Sequence, residues 1–296
     1  MPTRNGVLFA CMCLVWGLTF LPVKIAAEHV PPIFFAAARF VIAGPLLLAW
    51  AGRDAFRVPA AARWRLMLTA LLVNTLCYSL VFWGTAHAPS GLAAIVNLST
   101  IPLWSLLASR LIEGTPVTRR QIAAVALGCV GLCFLFWSRA VGGLDKAARD
   151  PLELWGLASV ALGTLSYCTG AVLTRAIAPA IPTLTLAGWQ STLGAVGLVA
   201  LSPALEPVTA DHGAALLAWP VLHALAFIIV AGSLIGFTVY LRLLRDWGAF
   251  YAGLYAFVSP VIAVAAGMLV LGEPFGLAEA AGALLMFAAA AIALRR

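Results

Sequence analysis

Ten apolar runs follow one another along the chain with little between them, at approximately residues 6–27, 32–51, 64–87, 91–110, 119–138, 153–176, 182–202, 216–240, 248–271 and 276–294. Proline, glycine or clusters of charge bound them, as helix ends require. Each is close to the roughly 20 residues that a helix needs to cross a bilayer. Ten such spans take up roughly two-thirds of the chain and leave only short loops. The pattern predicts an all-α polytopic membrane protein with ten transmembrane helices and no sizeable extramembrane domain. The first run has a signal-peptide outline, with Arg4 before it and Ala26-Ala27 after it. Its apolar core is long for a leader, and it is read as the first span.

Composition agrees: 63% of the residues are hydrophobic and 10% charged, against about 25% charged in soluble domains. The charge balance of 18 basic to 11 acidic residues, net +7, would in a soluble protein point to nucleic acid. In a chain of spans the basic residues are first of all topology signals. With the N-terminus inside, 13 of the 18 fall on the cytoplasmic side: Arg4, Arg53, Arg57, Arg63, Arg65, Arg110, Arg119, Arg120, Arg175, Arg242, Arg245, Arg295 and Arg296. Lys24, Arg139, Lys146 and Arg149 fall outside, and Arg39 lies within the second span. Both termini are then cytoplasmic, and the lipid bilayer, not nucleic acid, is the expected macroscopic partner. Trp50, Trp64 and Trp247 at inner ends, and Trp137, Trp155 and Trp219 at outer ends, fit interfacial belts. The six cysteines all lie in apolar runs without C-x-x-C spacing, which reads as packing, not metal or disulfide.

Self-comparison is more informative. A shift of 158 puts Pro102 on Pro260, Gly114 on Gly272, Pro116 on Pro274 and Gln121 on Glu279. A shift of 151 puts Trp16 on Tyr167, Lys24 on Arg175 and Arg39 on Gln190. Two five-helix halves result, at about residues 1–140 and 150–296. Five is odd, so the second half starts on the opposite face. That is an inverted repeat, a plan of secondary transporters that places the binding site near the midplane.

These residues also carry a resemblance. Trp16-Gly17 in the first span, Arg39-Phe40 in the second, and Pro260 followed by Gly272-Glu273 in the ninth resemble the EamA-type branch of the drug/metabolite transporter superfamily. The resemblance runs over essentially the whole chain. The first half departs from the Gly-Glu ending, with Gly114-Thr115 and Glu113 just before. Within the family the chain is most similar to bacterial exporters of aromatic amino acids. The resemblance implies a multi-pass protein of the bacterial inner membrane that exports metabolites.

The chemistry that is missing narrows the reading. There is no G-x-x-x-x-G-K-[ST] for ATP hydrolysis, no H-E-x-x-H, and no Ser/His/Asp set. No enzyme activity, cofactor or metal is expected. All eleven acidic residues fall at span ends or in loops. A proton-coupled pump for organic cations usually keeps an acid within the membrane, so that mechanism is disfavoured, with His87 near the outer mouth the remaining titrating group.

Polar and aromatic residues inside the spans outline a substrate cavity. Arg39 lies roughly 12 Å inside the second span. Such a residue must face protein or water, either to contact a substrate carboxylate or to tie down a helix end. Asn74 and Tyr78 share a face of the third span, and Tyr251, Tyr255 and Ser259 make an i, i+4, i+8 stripe in the ninth. Asn97, with Thr100 nearly a turn on, lies in the fourth; Trp16 and Thr19 share a face of the first; Tyr167 and Gln190 are repeat mates of Trp16 and Arg39. For each the plain alternative is interhelical packing. Pro102 and Pro260 occupy equivalent positions and act as hinges or as static kinks. Lys24 joins them and His87 as a gating candidate. The expected function is a ten-helix secondary transporter that exports small amphipathic metabolites, aromatic or other large neutral amino acids foremost, by alternating access without ATP. A broad drug or metabolite efflux carrier is the alternative on the same scaffold, and an intramembrane enzyme or receptor the different class. The oligomeric state is not written in the sequence.

Overall fold

A computed structural model describes residues 2–114, 116, 118–141, 151–236, 239–240, 242–243, 246 and 255–294. All regular structure among them is helical. The elements are α1 (Pro2–Leu18), α2 (Phe20–Ala27), α3 (Pro32–Ala51), α4 (Ala60–Ala70), α5 (Cys77–His87), α6 (Ser90–Glu113), α7 (Arg119–Val141), α8 (Pro151–Arg175), α9 (Thr183–Leu205), α10 (Ala210–Ala215), α11 (Trp219–Phe227), α12 (Tyr255–Leu271) and α13 (Leu277–Leu294). A π-helical segment, Leu71–Leu76, joins α4 to α5, and a second, Ile228–Ile235, extends α11.

Six stretches among the described residues are long and apolar enough to span a bilayer: Arg4–Ala27, Pro32–Phe56, Ala60–His87, Ser90–Glu113, Pro151–Arg175 and Thr183–Leu205. Trp219–Ile235, Val258–Leu271 and Ala280–Ala289 are shorter apolar helices. Leu111, Val196, Leu269 and Leu284 point outward, 65–86% exposed. A water-soluble surface does not present leucines and valines in this density; a lipid-facing one does. The chain is an all-helical polytopic membrane protein.

Local sequence sets the helix ends. Pro31, Pro89 and Pro182 stand just before α3, α6 and α9 in an extended conformation, a position where the missing N–H costs nothing. Gly114 and Gly272 follow α6 and α12 with φ of +68° and +65°, the left-handed region that closes helices and favours glycine. The first apolar run is not one continuous helix. Pro22 has no N–H to give Leu18, and the helix breaks at Thr19, whose hydroxyl donates to the Trp16 carbonyl at 2.6 Å.

The helices pack closely because facing residues are small. A side chain at Gly44 would run into Thr192, and one at Gly188 into Leu48, so α3 and α9 lie tightly together. Likewise α7 packs on α13, α8 on α5 and α6, α12 on α6 and α1, and α2 on α11. Several features recur at the spacings found by self-comparison. The starts of α3 and α9 are 151 residues apart, and those of α7 and α13 are 158 apart. The positive-φ glycines that close α6 and α12, Gly114 and Gly272, are also 158 apart. The segment Leu71–Leu76, moved by 158, falls inside Ile228–Ile235.

Tyr251, Trp247, Lys146, Arg149, Arg245, Arg295 and Arg296 lie outside the described residues, as do the side chains of Pro102, Trp137, Arg139 and Glu279.

Candidate functional site: a central cavity

Between the helices lies a cavity of about 350 Å³, lined from α1, α2, α3, α5, α6, α8, α9, α12, both π-helical segments and Tyr240. This is the small end of the range for ligand pockets, about 300–1,000 Å³. Of the predicted cavity residues, Trp16, Thr19, Arg39, Asn74, Tyr78, Asn97, Tyr167, Gln190 and Tyr255 line it.

Arg39 sits against three rings. Its guanidinium carbon is 4.9 Å from the Phe40 ring centre, 5.0 Å from Tyr78 and 6.0 Å from Phe82. Its Nε and one terminal nitrogen both donate to Ser233 Oγ at 3.2 Å. Ser233 in turn donates to the Ile228 carbonyl at 3.1 Å, five residues back. The π-helical segment therefore both offers that carbonyl and aims the serine at Arg39, a use of π turns common at functional sites.

A second aromatic group faces the same space. Trp16 meets Tyr255 edge-on with centroids 4.5 Å apart, and Tyr240 lies 5.4 Å from Trp16. Trp16 Nε1 donates to the Gly232 carbonyl at 3.3 Å. A side chain at Gly236 would collide with the Trp16 ring, and one at Gly232 would press on Thr19, so these two glycines serve close packing.

Three amides complete the wall. Asn97 Nδ2 donates to Thr164 Oγ1 at 2.9 Å. Gln190 Nε2 donates to Thr69 and Thr174 at 3.0 Å each. Asn74, 5% exposed, keeps its Oδ1 buried with no donor among the described residues.

Two predicted wall residues stand off the cavity. Thr100 is fully buried and returns its hydroxyl to the Val96 carbonyl at 2.6 Å. Ser259 is fully buried and donates to the Cys13 carbonyl at 3.1 Å, where α12 crosses α1. One helical turn of offset carries each from the open face into a helix contact. Sequence reading missed Phe82, Ser233 and Tyr240. For Tyr240 a signal existed, because it continues Gly232 and Gly236 at the same four-residue spacing. For Ser233 none did, since its aim depends on the π turn.

One end of the bundle is capped by charged side chains. Lys24 Nζ donates to the carbonyls of Ala86 and Ala88 at 2.8 and 2.9 Å, at the end of α5. Glu273 accepts from Ser90 N at 2.6 Å, Ser90 Oγ at 2.9 Å and Gly91 N at 3.2 Å, at the start of α6. Glu206 accepts from Ile33 N at 2.9 Å and Phe34 N at 3.1 Å, at the start of α3. A carboxylate satisfies otherwise unpaired N–H groups there and meets the positive end of the helix dipole. Burial pushes the Glu206 carboxyl above its usual value, against the pull of its backbone donors, Ser202 and the charge of His87. His87 stacks on Trp83 at 4.3 Å and pairs its Nδ1 with the Trp83 carbonyl at 2.8 Å. The repeat mate of Lys24, Arg175, forms an exposed ion pair with Glu113 at 3.2 Å. Pro260 lies buried inside α12.

Helices that cross a bilayer around a central, partly polar cavity define a membrane transporter architecture. The chain belongs to the EamA-like transporter family, whose profile matches residues 4–137 and again 154–295. It is 30% identical over 276 residues to the uncharacterized inner membrane transporter YedA of Escherichia coli K12, covering 90% of this chain and 83% of that one. It is 28% identical to protein PecM of Dickeya dadantii, over 93% of this chain and 87% of that one. A probable amino-acid metabolite efflux pump of Salmonella typhimurium is 21% identical, over 97% of this chain and 94% of that one. A solved crystal structure has the same fold, with a TM-score of 0.64 at 19% identity, covering 98% of this chain and 96% of the other.

Proposed function

We propose that this protein is a secondary carrier of the inner membrane, exporting small amphipathic metabolites by alternating access through the central cavity without ATP. Aromatic or other large neutral amino acids are its best-fitting cargo. The observation that carries this reading is the cavity wall itself: aromatic rings for an apolar side chain, with Arg39, Asn74 and Asn97 for polar groups. The relatives named as an inner membrane transporter and as an amino-acid metabolite efflux pump support the same reading.

In this proposal ten spans form two inverted halves, residues 1–140 and 150–296, with both termini cytoplasmic. Support comes from the family profile matching once per half and from the recurrence of helix starts, glycine caps and π-helical segments. The packing pattern has the same symmetry: exchanging halves maps the contact of α12 with α1 onto that of α6 with α8, and leaves α3 on α9 and α7 on α13. Lys24, Glu206 and Glu273 then seal the outer end, and the cargo enters from the cytoplasmic side. Pro102 and Pro260 are the proposed hinges.

A panel of labelled solutes in proteoliposomes tests the reading. Flux of phenylalanine, tryptophan or leucine with exclusion of organic cations is expected. Equal flux of unrelated drugs and dyes would instead make it a broad efflux carrier, and no flux of any solute would remove the carrier reading.

A further inference from the structure

Arg39 is the only charged side chain among the described residues lining the cavity. It is 8% exposed, so nine-tenths of it is withdrawn from solvent. None of the ion pairs formed by the described residues includes it; it has one serine and three aromatic rings. A cation placed this deep is costly without an anion. Rings compensate only in part, because a cation–π contact is weaker than pairing with a buried anion. The site therefore favours any small molecule that brings one negative charge. An acidic protein partner would cancel that attraction, and the cavity shows none among the described residues.

Asn74 adds a second, complementary feature. It lies four positions before Tyr78, whose ring covers Arg39. Its buried Oδ1 accepts nothing from the described residues, and a buried acceptor left unpaired is destabilising until a donor arrives. A cation and an unpaired acceptor thus share one small cavity, beside the aromatic group of Trp16, Tyr240 and Tyr255.

We propose that Arg39 is the binding site for a cargo carboxylate and that Asn74 accepts from the cargo's ammonium group. The substrate class is then amphipathic monocarboxylates, with zwitterionic amino acids bound best and organic amines excluded. The inference rests on the carrier reading above and narrows it to one charge pattern. Ser233 holds the guanidinium in place and acts as a positioning residue.

Three probes with the same ring and nearly the same chain separate the charges: L-phenylalanine, 3-phenylpropionate and 2-phenylethylamine. Each is titrated against the purified full-length protein, and ligand-induced rise in thermal midpoint is read, since a ligand that binds only the folded state raises it. Phenylalanine and phenylpropionate should stabilise, and phenylethylamine should not. Arg39→Gln should weaken both carboxylates at least tenfold. Asn74→Leu should weaken phenylalanine about tenfold while leaving phenylpropionate unchanged, which a merely structural asparagine would not do. Should Arg39→Gln fail to fold, the order of the three probes on the wild type decides, together with Ser233→Ala, which should weaken the two carboxylates alone. Binding of the amine as tight as that of the acid overturns the assignment, as does Arg39→Gln or Ser233→Ala with undiminished affinity for phenylpropionate. Silence of all three probes also overturns it, and the solute panel then separates the outcomes: flux of other solutes keeps the carrier reading, whereas no flux removes both.

Discussion

Glu206 shows how one side chain links two helices that are far apart in sequence. It ends α9 and holds the first N–H groups of α3, 173 residues away. Hydrogen bonds to a charged partner contribute about 1.5–3 kcal/mol each, but burial sets a cost against the charge, and the carboxyl is raised above 4.5. The sign of the pH effect follows. Between the ordinary value and the raised one, the folded state binds the proton and the unfolded chain does not. The stability contributed by this group is complete below about pH 4.5 and is lost as pH rises through the folded value. Thermal unfolding in detergent across that window should show a fall in stability with rising pH, and Glu206→Gln should flatten it. A slope of the opposite sign would mean that the backbone donors outweigh burial.

Among elements, the helix pattern was legible because hydropathy and proline position are local signals. The run predicted at 32–51 is α3, and that at 276–294 is α13 within one residue. The break at Thr19 and the two π-helical segments were not read. Pro22 removes one backbone hydrogen bond, a loss that the hydropathy of an apolar run does not register. A π turn inserts one residue without any change in composition. The same gap explains the site: Asn74 and Tyr78 were placed by helical spacing, whereas Ser233 reaches Arg39 only through the irregular turn. Thr100 and Ser259 failed as wall residues because a sequence stripe does not say where a neighbouring helix crosses. The α3–α9 contact offers a direct check. Gly44→Val pushes a side chain into Thr192, and overpacking of this kind costs about 1–3 kcal/mol. A clear fall in thermal midpoint is expected, with no comparable effect at Gly6, which faces open space. Equal midpoints for the two variants would mean that α3 and α9 do not pack as described.

At the scale of the whole molecule, the proposed alternating carrier combines two related helical halves, a cavity with one charged side chain and one capped end. Among the described residues Glu206 and Glu273 sit at helix ends and cap α3 and α6, and the sequence places no acid in the middle of an apolar run. Under the proposed function, transport of a neutral amino acid should then proceed without a proton gradient. The most direct test is counterflow: proteoliposomes preloaded with unlabelled phenylalanine are diluted into tracer, with pH equal on both sides and a protonophore present. A carrier of the kind proposed should accumulate tracer transiently above its equilibrium level, because each return of the loaded cavity exchanges inner for outer substrate. Folded, reconstituted protein that shows no overshoot, or one that appears only with an imposed proton gradient, would contradict the account.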